Sequence, residues 1–508
     1  MIEIDGEHLT INDVVKVARE FEKVKLTKEA ERRIKKACEM VEKIVIHDGM
    51  VVYGINTGFG NLANKRISSK KLDELQLNLI RSHSCGVGEP LSIDVVRAMM
   101  ILRVNSLAKG YSGVRPKTVK LLVDMLNKRV HPVVPEKGSL GASGDLIPLA
   151  HIALAMVGEG EVIVDGKTMS AKQGFRRKGI KPVTLMPKEG IALINGTQLM
   201  TGIGCLVLSD AYLLLKNAQI AGVMSLEALR GTDQAFRKEL HIARPHKGQL
   251  QCAENLWMLT RDSEIIASHR NCSKVQDPYT LRCMPQVFGA SMDALSYVRS
   301  VLETEINSAT DNPLLFPENM ESLSGGNFHG QPVAMALDFL TLAISEIGSF
   351  SERRIARLVD SNLSGLPPFL TEKSGLNSGF MLPQYVAAAL VSENKILCHP
   401  ATADSIPTSA NQEDHVSMGA TAALKSLKVL KNVQYTVAIE YMTAAQGLEF
   451  HKPLRPSPAI EAAYNVIREK VSKLEEDRPF YKDIKKMFNL VRNGDIVTSV
   501  ENIVGKLH

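Results

Sequence analysis

Ala142, Ser143 and Gly144 follow one another inside GSLGASGDLIPLAH (Gly138–His151), a segment too small and too glycine-rich to pack a core. It comes after Pro132 and Pro135 and before an apolar stretch that reads as helix. The ordinary use of such residues is a tight turn ending in a helix cap, with Ser143 or Asp145 accepting from free N–H groups. Two other chemistries are excluded. The Lys-Ser/Thr of a GxxxxGK[ST] phosphate loop is missing, and Asp145 stands where a GxSxG nucleophile elbow around Ser143 would need its second glycine.

The elements around this loop have to be stiff. Apolar residues at Val333, Leu337, Leu340, Ile344 and Ile347 alternate steps of four and three, one face of a helix that opens near Pro332. Glu413 to Leu448 contains no proline, which predicts a rod of roughly 50 Å at 1.5 Å per residue. Residues 205–231 and 286–308 read as further long helices. The first 200 residues are choppier: VVYGINTGFGNL (Val51–Leu62) starts as a strand would and runs into Gly54, Gly58 and Gly60. Glycine-rich segments at 53–60, 138–144, 194–198 and 324–330 fall between helices, the layout of a site carried by loops on a rigid scaffold.

Composition removes several function classes. The net charge of +6 is spread along the 508 residues, and its densest patches, Arg32-Arg33 with Lys35-Lys36 and Lys485-Lys486, have the spacing of solvated helix faces. No basic stripe with interleaved aromatics points to nucleic acid. Hydrophobic residues make up 44% and aromatics only 5%, with one Trp (Trp257), so the core must be aliphatic. Seven scattered cysteines without a CxxC pair argue against a zinc knuckle and for a reducing compartment. No His/Asp/Glu cluster has metal-ligand spacing, so no metal is expected. The opening MIEIDGEHLT has no signal-peptide pattern, and no apolar run approaches a membrane span. A soluble, cytoplasmic protein is expected, mainly α, with a loop-bearing head at 1–204 and an elongated helical bundle at 205–508.

Five more segments accompany GSLGASGDL in order: YGINTGFG (Tyr53–Gly60), NGTQ (Asn195–Gln198), VQDPYTLRC (Val275–Cys283), SGGNFHG (Ser324–Gly330) and SANQEDHVSMG (Ser409–Gly419). Together they resemble the aromatic amino-acid ammonia-lyase family, and the resemblance covers most of the chain. It implies an ammonia-lyase/fumarase-like helical fold, a homotetramer whose sites combine residues of more than one subunit, and a self-made cofactor. In that family Ala-Ser-Gly cyclises into a methylidene-imidazolone; carried over, the Gly144 nitrogen attacks the Ala142 carbonyl and two waters leave. These residue types suit the reaction, since Gly144 cannot block ring closure, Ala142 tolerates compression and Ser143 supplies a leaving hydroxyl. The product is an electrophile no ordinary side chain provides. Covalent capture divides a difficult elimination, whose β-proton is only weakly acidic, into easier steps.

The resemblance also implies roles. Tyr53 matches the base that takes the β-proton, and a phenol acting so needs stabilisation, for which helix N-termini and Arg282 are candidates. Arg282 matches the clamp on the substrate carboxylate, a task suited to a planar bidentate donor. Asn195 and Tyr279 match groups that hydrogen-bond the cofactor and the reacting amine, while Gln276 and Phe328 line the pocket. For these four, anchoring glycine-rich loops is the competing role, as a loop anchor is for Tyr53 and an ion pair for Arg282.

Substrate choice rests on His83, in RSHSCGVGEP, and Glu413, in NQEDHVSMG. An imidazole carries two ring nitrogens, and a histidine with a carboxylate satisfies one each, which implies L-histidine. Relatives acting on phenylalanine resemble this site with apolar groups for His83 and an amide for Glu413, and those acting on tyrosine keep the histidine. Glu413 therefore decides against lyases of tyrosine or phenylalanine and against aromatic 2,3-aminomutases. The competing reading of Glu413 is an acid opening a long helix, favoured there by the helix dipole. A non-catalytic scaffold is opposed by the intact Ala142-Ser143-Gly144 with Tyr53.

Overall fold

Val333, Leu337, Leu340, Ile344 and Ile347 are all fully buried along one side of a single helix, Gln331–Val359, with Pro332 in its first turn. The other long helices are Gln198–Ala228, Met284–Glu305 and Gly419–Glu449. The structure, a computed structural model, describes residues 1–46, 52–68, 71–270, 272 and 274–508. The fold is mainly helical. The core is aliphatic as the composition requires, and Trp257 is only half-buried.

The chain divides into two compact units. The first comprises Met1–Ser209, Arg299–Asp338 and Pro400–Leu424; the second comprises Asp210–Val298, Phe339–His399 and Lys425–His508. Every described strand lies in the first unit, in small sheets. Ile2–Ile4 pairs parallel with Val24–Leu26, and Val87–Pro90 pairs antiparallel with Pro135–Lys137. His131–Pro132, Glu161–Val164 and Lys167–Ser170 form an antiparallel sheet, and Leu314–Phe316 pairs with Glu321–Leu323. The second unit is helical in its described residues, with the helices Pro458–Lys470 and Asp495–Val504 packed together. Within it Arg354 and Glu440 form a fully buried ion pair, and Ser225 and Ser351 also donate to that carboxylate. Buried charges persist when their hydrogen bonds are met in this way.

Several local expectations change. Val51, where a strand was expected to begin, lies outside the described residues, and 53–55 form a turn. The helix expected from Glu413 begins at Gly419 and runs 31 residues, about 46 Å. Glu413 instead sits in an antiparallel bridge with Thr408, and Met418 adopts φ 54° just before the helix. Its charge therefore does not sit at a helix start, which removes the dipole reading. Asp145 occupies the N-cap position of Leu146–Met156, yet its side chain gives no bond to that helix. Gln198–Ala228 and Gln331–Val359 are long and apolar enough to cross a membrane, but 78% and 61% of their most apolar windows are buried inside the chain. They are core helices. Arg32, Lys35, Lys36, Lys485 and Lys486 are exposed on helices, and all seven cysteines are free thiols.

Candidate active site

The loop 138–144 is held in the first unit by partners far away in sequence. Met418 N–H donates to Leu140 O (2.8 Å), and Ser417 Oγ donates to Gly141 O (2.9 Å). Ala142 is buried against Val416 and Met418. Gly144 has φ +73°, and a Cβ there would fall inside the Gly196 carbonyl. A side chain is thus excluded at Gly144 by conformation and by space. The next N–H, of Asp145, donates to that same carbonyl (2.6 Å).

Asp145 anchors the loop to a second helix. Its Oδ2 accepts from the N–H groups of Leu199 (2.9 Å) and Met200 (3.0 Å), at the free N-terminus of Gln198–Ala228, and its Oδ1 accepts from Ser139 Oγ (2.9 Å). Such N–H groups have no partner within their own helix. Burial pushes the Asp145 carboxyl up to about 6, against the pull of the Met200 N–H, the Ser139 hydroxyl and the Leu199 N–H. Met200 then packs its thioether against Gly330 and Gly419, where an added Cβ would press on it.

NGTQ supplies the other wall. Asn195 is buried, and its Nδ2 donates to the Ser143 carbonyl (2.9 Å) while its Oδ1 is buried without a partner. Arg103, fully buried, fixes the Asn195 backbone from behind: Nη1 donates to Asn195 O (2.6 Å) and Nη2 to Ser106 Oγ (2.9 Å). Burial pulls its guanidinium down to about 10, with Asp311 acting the other way, so it stays charged at neutrality. Asp311 itself pairs with Lys188 (2.6 Å), both fully buried.

Glu413 reaches the loop from its turn. Ser143 Oγ donates to Glu413 Oε1 (2.9 Å), and Thr408 Oγ1 donates to Oε2 (2.7 Å). His83, at the end of the helix Leu72–His83, is half-buried and close enough to feel the Glu413 charge. Burial lowers its pKa, only partly offset by the Leu79 carbonyl and Glu413. Tyr53 is half-buried in its turn, its hydroxyl oxygen accepting from Gly60 N–H (3.2 Å) and its ring edge-on to Phe59. A Cβ at Gly60, whose φ is +54°, would meet Ser409 Oγ, so the Tyr53 loop lies against the Glu413 turn. Phe328 is half-buried two residues before Gly330, whose N–H faces Gly141 O (3.4 Å).

Gln276, Tyr279 and Arg282 belong to the second unit. Gln276 is exposed, and Tyr279 is 69% exposed at the start of the short helix Tyr279–Arg282. The Arg282 guanidinium lies 4.8 Å from the Tyr279 ring centroid, and its Nε is buried without a partner. A tyrosine and an arginine stacked in this way present a cation and a phenol on an open face.

The supporting residues Thr408, Ser417, Arg103, Ser139 and Met200 carry no pattern in the sequence that marks their role. Only the run of glycines at 141, 330 and 419 hinted at the close packing around Met200.

Residues 9–469 match the family model described as aromatic amino acid lyase. A histidine ammonia-lyase of Alkaliphilus oremlandii is 54% identical over 503 residues, covering 99% of each chain. The crystal structure of histidine ammonia-lyase from Trypanosoma cruzi superposes with a TM-score of 0.92 at 44% identity, covering 99% of this chain and 95% of that one. A tyrosine aminomutase from Streptomyces globisporus reaches 0.95 at 39% identity, covering all of both chains. The backbone alone therefore does not choose between these reactions, and the choice falls to side chains.

Proposed function

The chain belongs to the aromatic amino acid lyase family, and on that premise we propose that it eliminates ammonia from L-histidine, without oxidation, to give trans-urocanate. The observation that carries this reading is the 2.9 Å bond from Ser143 Oγ to Glu413 Oε1, with the half-buried His83 in the field of the same carboxylate. A carboxylate beside the reactive residue suits a ring that donates an N–H, and an apolar ring would leave that charge without a partner.

Residues 142–144 fit the methylidene-imidazolone. Gly144 has no room for a side chain, and Asn195 Nδ2 grips Ser143 O, the oxygen that cyclisation retains. The unpartnered Asn195 Oδ1 leaves an acceptor free beside it. Once formed, the group supplies an electrophilic carbon at the former Ser143 Cβ. Departure of the Ser143 hydroxyl also vacates Glu413 Oε1 for the substrate. In this reading Glu413 and His83 orient the imidazole, and Tyr53 takes the β-proton, its hydroxyl oxygen held by the Gly60 N–H. Arg282 clamps the carboxylate, Tyr279 and Asn195 bond the amine, and Gln276 and Phe328 close the pocket.

A homotetramer with shared sites follows from the same reading. Met335, Phe339 and Leu342 form a second apolar stripe on the helix Gln331–Val359, this one exposed, and Leu382, Tyr385 and Val386 are exposed on Met381–Leu397. Exposed apolar side chains on these two helices suit contact with another copy. With Gln276 and Tyr279 exposed on the second unit, other copies of the chain are the natural owners of the residues that complete each site. Seven free thiols suit a cytoplasmic setting.

Purified protein offered histidine, phenylalanine and tyrosine separately tests the reading. Urocanate should form fastest; faster cinnamate or coumarate, or a β-amino acid as the main product, would overturn it.

A further inference from the structure

Thr408 and Glu413 face each other across a tight turn. Thr408 N–H donates to Glu413 O (2.9 Å), and Glu413 N–H returns a bond to Thr408 O (3.2 Å). Between them Ser409, Ala410 and Asn411 adopt φ of 50°, 50° and 69°, all left-handed and none glycine. Backbone of this kind persists only where its surroundings over-determine it, and it gathers where a side chain must be aimed. The side chain so aimed is Glu413.

Thr408 then decides which oxygen of Glu413 is available. Its hydroxyl donates to Oε2 at 2.7 Å, and Oε1 is left facing Ser143. A carboxylate with both oxygens free can rotate and accept in two directions, whereas one pinned at Oε2 offers a single acceptor of fixed position. Thr408 is half-buried and stands outside every motif that carries the chemistry.

We infer that Thr408 is a positioning residue for substrate choice: it fixes Glu413 so that Oε1 alone reads the ring N–H of an imidazole. The inference rests on the reading that Glu413 receives the substrate's imidazole. Removing the hydroxyl while keeping the shape leaves Glu413 in place but unaimed, which weakens recognition of an imidazole and leaves an apolar ring unaffected.

The test uses Thr408→Val, Thr408→Ala and Thr408→Ser, with Glu413→Gln alongside. Measured are near-ultraviolet absorbance of the mature protein, kcat and KM for histidine, and the dissociation constants of urocanate and of cinnamate. Thr408→Val should lower histidine kcat/KM about tenfold and weaken urocanate by a similar factor, the scale of one hydrogen bond to a charged group. Cinnamate binding and the absorbance should not change, and Thr408→Ser should restore most of the loss. Should Thr408→Val fail to fold, Thr408→Ala against Thr408→Ser decides in its place. Equal weakening of urocanate and cinnamate, or a lost absorbance, would mean that Thr408 merely holds the turn together, and the inference falls. If Glu413→Gln impairs histidine turnover and no Thr408 variant does, the inference alone fails. If none of them does, the underlying reading of Glu413 fails with it.

Discussion

Ser143 Oγ donates to Glu413 Oε1 across 2.9 Å, though 270 residues separate them in the chain. Under the proposed function this contact exists only before maturation, because cyclisation expels the hydroxyl that makes it. The mature protein should therefore weigh less than its encoded mass by two waters and absorb in the near ultraviolet. Ser143→Ala should lose the absorbance and the activity together. Active enzyme of full encoded mass would be incompatible with this cofactor.

Tyr53 contributes a different step. Its hydroxyl accepts from Gly60 N–H, an arrangement that survives replacement of neighbouring side chains because the donor is backbone. Tyr53→Phe should keep the fold and the absorbance while turnover falls ~10²–10⁴-fold, the usual contribution of a general base. Single-turnover kinetics with β-deuterated histidine locate the loss; wild-type-like proton abstraction in the variant would take Tyr53 out of the mechanism.

How far these residues could be read in advance depended on the range of the forces holding them. The stripe from Val333 to Ile347 was legible because burial imposes a 3.6-residue period on the sequence itself. Asp145 was visible as a capping residue, but the N–H groups it caps are those of Leu199 and Met200, over fifty residues on, and no local pattern records that. Glu413 was misplaced onto a helix for a related reason. Nothing from 413 to 418 breaks a helix by composition; the bridge to Thr408 and the bond from Met418 N–H to Leu140 O hold it extended. Thr408 and Ser417 were silent because a hydroxyl in a loop has no spacing to betray its partner.

Asp145 gives stability a pH dependence of known sign. Its native carboxyl titrates at about 6, above the ~3.9 of an unfolded chain. Below the lower value both states are protonated and the group's contribution is fully present. As pH rises toward 6 the unfolded chain releases its proton first, so that contribution is lost. Asp145→Asn keeps acceptors for Leu199 and Met200 but cannot titrate. The stability difference between wild type and variant should shift by roughly 2 kcal/mol between pH 4 and 7, wild type gaining relative stability at low pH. Urea unfolding across that range checks it; parallel pH profiles would show that Asp145 does not titrate there.

Glu413 and His83 are separable from folding now that neither opens a helix. Glu413→Gln should lower histidine kcat/KM roughly ten- to a hundredfold, the scale of a charged hydrogen bond felt at the transition state, with little change in Tm. His83→Leu should weaken selection for histidine and admit phenylalanine slowly. The ratio of histidine to phenylalanine kcat/KM, measured with Tm on both variants, reads the effect. A fall in Tm with an unchanged ratio would mean the pair is structural.

Shared sites make the last expectation, and it needs no knowledge of how the copies are arranged. Ser143 lies in the first unit, whereas Arg282 lies in the second with its Nε buried and unpartnered. If each site takes Ser143 from one chain and Arg282 from another, neither Ser143→Ala nor Arg282→Ala is active alone, since every site in either homo-oligomer lacks one of them. Co-expression mixes the chains, and some sites then draw Ser143 from the Arg282→Ala chain and Arg282 from the Ser143→Ala chain. Random mixing in equal amounts places both intact residues in roughly a quarter of the sites. The mixed assembly should therefore recover about that fraction of wild-type kcat per site, with an unchanged KM for histidine. A site built within one chain recovers nothing, because each chain carries one lesion. Purifying the mixed species through a tag on each variant removes homo-oligomers, so zero activity there would refute sharing, while intact KM with partial kcat would locate the two residues on different copies.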